Sequence, residues 1–401
     1  MKKVTRFLGF ALACSMIGSL MACGNGNKSN EPEQKQEQEA NTDNNEENTQ
    51  GTEGAEDKEE ISTDSNGEKL KMVVCIGWIN DLSFFQSTYD GSQRVLAEMG
   101  DKYDVEVVEM GTDPSVWPDA FYDAADNGAD IIVTVGYQNK EAFESIPLEY
   151  PDIKFIIFDQ DIDFSINGLD NVLSVVFDSN EAGFLSGAAA AYYTASDKGN
   201  ADKKIGFVGA YDSATINNFL VGYAEGAHYI DPEIEVATAY IGGFSDTAKA
   251  KDLANAQITG GADVIFQVAG GAGNGVFEAV KESGNAVAIG VDADQFVTLA
   301  GTGLEGSIMT SCLKRVDSAL FKICEDYVKD SSSVPFGQNI VYGLGQDAVG
   351  IVYNDNLTAI IGEENVKKLE DLQSQIANGE IKVSSATDLT TDQIKEVVAG
   401  K

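Results

Sequence analysis

From Leu70 onward, short apolar runs alternate with stretches whose apolar residues return at helical spacing. Short runs of this kind, broken by glycine, asparagine and aspartate, are what parallel strands buried on both faces produce. The pattern predicts strands over Leu70 to Gly77, Tyr103 to Met110, Ala129 to Val135, Ile153 to Phe158 and Val172 to Phe177. A second series is predicted over Lys204 to Val208, Ile234 to Ile241, Ala262 to Val268, Ala286 to Val291 and Gly306 to Thr310. Helices fill the intervals, so the expected fold class is α/β, with two doubly wound parallel-sheet lobes in succession.

The two series repeat one another. Gly77 and Gly209, each closing a first strand, lie 132 positions apart. Asn127-Gly128-Ala129-Asp130-Ile131-Ile132 returns 133 positions later as Gly260-Gly261-Ala262-Asp263-Val264-Ile265, and Phe158-Asp159 returns at the same shift as Val291-Asp292. The chain carries two copies of one α/β unit, and such sheets bind ligands beyond the carboxyl ends of their strands. Two units facing each other close a cleft between them.

Before Leu70 the pattern changes. Lys2, Lys3 and Arg6 precede an apolar stretch from Phe7 to Leu20 that is short for a membrane span and fits an export signal. It ends in Leu20-Met21-Ala22-Cys23, which resembles a bacterial lipobox, although Met21 departs from the usual small residue. Residues 1–22 are read as a signal peptide and Cys23 as a lipidation site. Residues 23–68, rich in Glu, Gln, Asn and Asp, hold too few apolar residues to offset ordering entropy and are read as an acidic, disordered tether. Residues 69–177 are assigned to lobe one, completed by a crossover segment from further along the chain. Residues 178–310 are assigned to lobe two, and 311–401 to the crossover and C-terminal helices.

Composition sharpens the picture by exclusion. Across 401 residues, 27 basic and 65 acidic side chains give a net charge of −38, which repels nucleic acid and anionic lipid headgroups. Contact with a membrane is therefore expected through the N-terminal lipid rather than a basic patch. Cys75 falls in a strand pattern and reads as a small core residue. Cys312 and Cys324 are read as lying on one helix, about 18 Å apart and beyond disulfide reach. No metal-ligand spacing is present, and the single histidine, His228, reads as a surface or packing residue on a helix.

Residues just past the strands carry the candidate chemistry. After the first strand of lobe one come Asn80, Asp81, Phe84, Phe85 and Gln86; the matching segment of lobe two contains Phe219; Tyr137 follows the third strand of lobe one. An aromatic from each lobe can sandwich a flat ring, a contact worth about 0.5–1.5 kcal/mol per pair beyond burial. The alternative is that these phenylalanines are core residues. Asp159 and Asp292, ending equivalent strands, offer acceptor-only carboxylates for ribose hydroxyls or base N–H groups, unless each merely caps the following helix. Two acids also invite a glycosidase reading. No nucleophile motif accompanies them, so no catalytic residue and no cofactor are expected. Gly270 and Gly271 allow close backbone approach to a ligand, without the lysine and hydroxyl of a P-loop. Lys314 is placed to donate to a ribose oxygen.

These residues resemble the basic membrane protein family of purine nucleoside receptor A-like lipoproteins. The likeness runs from about Leu70 to Ile351. It rests on Asp81-Leu82-Ser83-Phe84, Gly128-Ala129-Asp130-Ile131-Ile132, Gly222-Tyr223-Ala224-Glu225-Gly226-Ala227, Gly290-Val291-Asp292-Ala293-Asp294-Gln295 and Lys314-Arg315-Val316-Asp317, in order. The resemblance implies a type I periplasmic-binding-protein fold and a nucleoside stacked between Phe84 and Phe219. It implies base contacts from Asp159 and the Asn80-Asp81 segment, with Asp292, Lys314 and the Gly270-Gly271 turn on the ribose side. Phe85 stands where the family usually has Asn, Leu82 where Lys is common and Asn80 where Asp is frequent, which leaves the base preference open. The implied role is that of a monomeric, non-enzymatic binding protein that hands a nucleoside to an ABC permease driven by its ATPase. Sugar or autoinducer binding on the same fold, and nucleoside hydrolysis, are the alternatives.

Overall fold

The computed structural model describes residues 69–200 and 202–401. The expected signal peptide, the acidic tether and Cys23 lie outside the described residues.

Lobe one begins β1 (Leu70–Ile76), α1 (Phe84–Met99), β2 (Tyr103–Glu109), α2 (Trp117–Asp126), β3 (Ile131–Val135), α3 (Lys140–Phe143), β4 (Lys154–Phe158) and β5 (Val172–Phe177). The chain then crosses to α4 (Ser179–Thr194), β6 (Lys204–Gly209), α5 (Ala214–Ile230), β7 (Glu235–Tyr240), α6 (Thr247–Thr259) and β8 (Val264–Val268). Lobe two continues with α7 (Asn274–Ser283), β9 (Val287–Asp292), α8 (Gln295–Thr298) and β10 (Ile308–Lys314). It returns to lobe one for α9 (Val316–Lys329) and β11 (Gln338–Tyr342), then crosses back for β12 (Val349–Ile351), α10 (Asp355–Ile361), α11 (Glu363–Ala377) and α12 (Thr391–Val398).

The two sheets have the same plan. Their orders are β11-β5-β4-β3-β1-β2 and β12-β10-β9-β8-β6-β7, with every pairing parallel except β10 with β12. The duplicated sequence is thus a duplicated topology, and three chain passages join the lobes, which is the type I periplasmic-binding arrangement. The boundary expected at residue 310 falls inside β10, which pairs with β9 as far as Leu313. The last three helices lie against lobe two, α11 on α4 and α12 on α5.

Strand patterning explains the layers. In β1, Met72, Val74 and Ile76 enter one apolar cluster while Val73 and Cys75 enter another, so period-two side chains fill both faces of the sheet. Helices α4 and α5 cross with their backbones almost in contact. A Cβ on Gly187 would sit 1.9 Å from the Tyr223 carbonyl oxygen, and one on Gly222 would sit 1.9 Å from that of Asn180. The Gly222 motif seen in the sequence is therefore a packing device, and it fixes the helix that carries Phe219.

One local reading is corrected. Cys312 lies on β10 and Cys324 on α9, so they do not share a helix; the apolar run after residue 308 continues as a buried strand to Lys314. Cys75, Cys312 and Cys324 are all free and buried. His228 lies in the last turn of α5, with Nε2 3.0 Å from the Ile234 carbonyl oxygen. No described helix is long and apolar enough to cross a membrane.

Candidate functional site

A cavity of about 430 Å³ lies between the lobes at the carboxyl ends of the strands. That volume is within the range of small-molecule sites. A larger hollow of about 620 Å³ lies under α12 on lobe two and is lined by α5, α12 and the β7 edge, away from the strand ends.

Ten of the twelve expected ligand residues line the cavity between the lobes: Asp81, Phe84, Phe85, Tyr137, Asp159, Phe219, Gly270, Gly271, Asp292 and Lys314. Two do not. Asn80 is exposed at a left-handed turn position (φ 68°), and Gln86 turns outward, accepting from the Asn80 N–H at 3.2 Å and donating to Asp90 at 2.8 Å. The helix start accounts for both, because Gln86 closes the turn that Asn80 opens. Asp81 lines the cavity, and its carboxylate also binds the start of α1. It accepts from the N–H groups of Ser83 (3.0 Å), Phe85 (3.0 Å) and Gln86 (2.9 Å), and so caps α1. The cap made by Asp81 fixes the start of the helix that carries Phe84.

Phe84 and Phe219 approach from opposite lobes. Between them lies the ammonium of Lys314, 5.0 Å from the Phe84 ring centroid and 4.9 Å from that of Phe219. Both distances are within cation–π range. The same ammonium is 2.6 Å from Asp159 Oδ2 in lobe one and 3.9 Å from Asp292 Oδ1 in lobe two. Neither aspartate caps a helix; Asp294 does that for α8. Asp159 and Asp292 both adopt left-handed backbone, φ 62° and 66°, at equivalent points of the two copies. Such a conformation is uncommon outside glycine and concentrates at binding sites.

Burial raises the Asp292 carboxyl to about 6, against the opposing pull of Lys314 and the Ser83 hydroxyl. Burial also raises Asp81, opposed by its backbone N–H donors. Ser83 Oγ donates to Asp292 Oδ2 at 2.7 Å, so lobe one reaches directly into the lobe-two carboxylate. Gly270, at φ 53°, opens the turn after β8 and leaves backbone facing the cavity, whereas a Cβ on Gly273 would collide with Gln267. Tyr137 and Tyr211, the latter stacked edge-on with Phe244, stand at the partly exposed mouth from opposite lobes.

Several cavity residues escaped the reading of the sequence. Trp117 and Pro114 follow β2, and Gly243 and Phe244 follow β7. The same strand-end rule finds them once it is applied to the edge strands.

Residues 69–387 match the family described as ABC transporter substrate-binding protein, PnrA-like. The chain belongs to this family. It is 33% identical over 332 residues to the CD4+ T-cell-stimulating antigen of Listeria innocua, spanning 78% of this chain and 87% of that protein. To basic membrane protein A of Borreliella burgdorferi it is 30% identical over 324 residues, spanning 80% and 89%. Among solved structures, it superposes on an ABC transporter solute-binding protein from Aeropyrum pernix K1 with a TM-score of 0.69 and 25% identity, over 82% of this chain and 98% of that one. As a PnrA-like protein it is a substrate-binding component of an ABC transporter.

Proposed function

We propose that the cleft takes a nucleoside, with the base stacked between Phe84 and Phe219 and the ribose hydroxyls at Asp292, Lys314 and the Gly270-Gly271 turn. In this reading the chain is exported, held to the outer face of the membrane by a lipid on Cys23, and delivers its ligand to a permease and its ATPase. The observation that carries it is the placing of one phenylalanine from each lobe on either side of Lys314. Aromatic faces select planar or cationic groups, and Lys314 now fills the slot with a cation. A base entering there exchanges that contact for ring stacking, while the lysine keeps Asp159 as its partner.

The charged trio supplies the polar side. Asp159 and Asp292 present acceptors and Lys314 donors within one buried corner, which matches the mixed donor and acceptor character of a ribose diol. Affinity in the micromolar to sub-micromolar range, roughly −8 to −10 kcal/mol, is expected for such a ligand. A thermal-shift panel of nucleosides, free bases and sugars on the protein lacking its lipidated cysteine tests the reading. Stabilisation by ribose or galactose, but by no nucleoside, would favour a sugar receptor and remove the proposal. Release of hypoxanthine from inosine with sustained turnover would remove it in favour of a hydrolase.

A further inference from the structure

The helix that carries Phe84 starts on an unusual turn. Just before it, Leu82 adopts left-handed backbone at φ 61°, in a stretch where Asn80 does the same at φ 68°. Asparagine visits that region at modest cost because its short side chain bonds locally, whereas a leucine there sets its Cβ against the following carbonyl. The Leu82 side chain, apolar and half-buried, gives no reason for the choice.

What the turn achieves lies in the other lobe. It aims the Leu82 carbonyl oxygen at lobe two, where that oxygen accepts from Gln295 Nε2 at 3.0 Å and from Thr298 Oγ1 at 3.3 Å. Ser83 occupies the N-cap of α1, yet its hydroxyl makes no bond to its own helix, and Asp81 accepts from the Phe85 and Gln86 N–H groups instead. The Ser83 hydroxyl crosses to lobe two, 2.7 Å from Asp292 Oδ2 and 3.3 Å from the Val291 carbonyl oxygen. Leu82 and Ser83, directly ahead of Phe84, are thus both held by the 291–298 segment of lobe two. Within lobe one, the bond from the Ser83 N–H to Asp81 Oδ1 spans the same turn and is the alternative source of its shape.

We infer that Leu82 and Ser83 are positioning residues: lobe two holds the left-handed turn when the cleft is closed, the turn relaxes when the lobes part, and closure is thereby coupled to the placing of Phe84. Binding proteins of this fold close two lobes around a ligand by hinge motion. A residue strained in the closed arrangement alone weighs against closing, and the bonds from lobe two offset that strain. Affinity for any ligand then scales with the fraction of molecules able to close. The opposed strain keeps the cleft from locking shut, as a protein that must hand on its ligand requires.

Calorimetric titration with inosine tests the inference on the chain from residue 23, with Cys23→Ser and either Leu82→Ala or Leu82→Gly. Both changes at Leu82 remove the leucine side chain, and only glycine removes the cost of the left-handed φ. The glycine variant is expected to bind about fivefold tighter than the alanine variant, the left-handed penalty less the extra freedom glycine gains in the open arrangement. A turn kept left-handed by lobe one alone gives a more stable glycine variant with the same affinity, so equal affinities overturn the inference. A second measurement needs no ligand. Asp119 and Ala248 are exposed, just past the cavity residues Trp117 and Asp246 of opposite lobes, while Cys75, Cys312 and Cys324 are buried from a thiol label. With spin labels at Asp119→Cys and Ala248→Cys, the glycine variant is expected to show a larger share of the short interlobe distance than the alanine variant. Identical distance distributions overturn the inference as well. Failure of inosine to bind the parent removes the nucleoside reading alone, and the labelled pair then decides the role of the turn.

Discussion

Gln295 Nε2 donates to the carbonyl oxygen of Leu82 at 3.0 Å, joining a fully buried amide of lobe two to a left-handed residue of lobe one (φ 61°). The amide is held from behind: its Oε1 accepts from Gln267 Nε2 at 2.5 Å and from the Val291 N–H at 2.8 Å. Gln267 in turn accepts from the Ala269 N–H at the start of the glycine turn. Two glutamines thus connect the cavity floor of lobe two to the interlobe contact, and Thr298 adds a second bond to the same Leu82 oxygen at 3.3 Å. Gln295→Ala leaves the Gln267 amide, the Val291 N–H and the Leu82 carbonyl without this partner. A loss of about 2–3 kcal/mol in denaturant unfolding is expected, since buried polar groups left unpaired cost about 1–3 kcal/mol. Ligand affinity should fall as well, because part of the lost bonding joins the lobes. Calorimetry that finds weaker unfolding but undiminished affinity would confine Gln295 to a role inside lobe two.

Asp292 makes stability depend on pH in an unusual sense. Its folded carboxyl is raised to about 6, above the ordinary 3.8, because it is buried. Between about pH 4 and 6 the folded chain holds a proton that the unfolded chain has released. This carboxyl therefore contributes stability at low pH that is lost as pH rises through 6. Asp292→Asn removes the penalty of an ionised buried carboxylate. Without ligand, the variant is expected to gain in melting temperature over the parent at pH 7.5, with a smaller gain at pH 5. An equal gain at both values would show that the group does not titrate in this window.

Much of this architecture was legible because the chain repeats. The shift of 133 residues makes Asp159 and Asp292 equivalents in the sequence alone, and the strand-end rule brings Phe84, Phe219 and Lys314 near one cleft. β11 and β12 left little trace in the pattern: the first is an edge strand with mostly exposed or half-exposed residues, and the second has three residues. Asn80 and Gln86 read as ligand residues because they flank the right strand, yet the left-handed turn at Asn80 sends both outward. The interlobe role of Ser83 and Gln295 depends on how the two lobes meet, which no local pattern records.

The crossing of α4 and α5 supplies a stability test remote from the ligand. At Gly187 a methyl group would lie 1.9 Å from the Tyr223 carbonyl oxygen and 2.9 Å from the Ala227 nitrogen, both backbone atoms that move only with the helix. Gly187→Ala is expected to destabilise the protein by about 2–3 kcal/mol, the usual scale for overpacking, despite the better helix propensity of alanine. Thermal and urea denaturation measure it. A neutral or stabilised variant would mean that the helices separate at little cost, and that Phe219 is not held by their contact.

Phe219 itself serves two roles that must be separated. It lines the cavity, yet it is 1% exposed and packs edge-on against Phe266 with centroids 6.2 Å apart. Phe219→Ala is expected to weaken nucleoside binding by about 1–3 kcal/mol through lost stacking and burial. The same change opens a core cavity and should cost about 3–5 kcal/mol in stability, so a loss of binding alone would be ambiguous. Phe219→Leu keeps most of the volume, with an expected stability change below about 1.5 kcal/mol, but it removes the aromatic face. If the ring stacks on the ligand, the leucine variant unfolds nearly as the parent does and binds nucleosides about 3- to 10-fold more weakly, the stacking term alone. Parent-like affinity in that variant would return Phe219 to the core and leave Phe84 as the stacking face of the cleft.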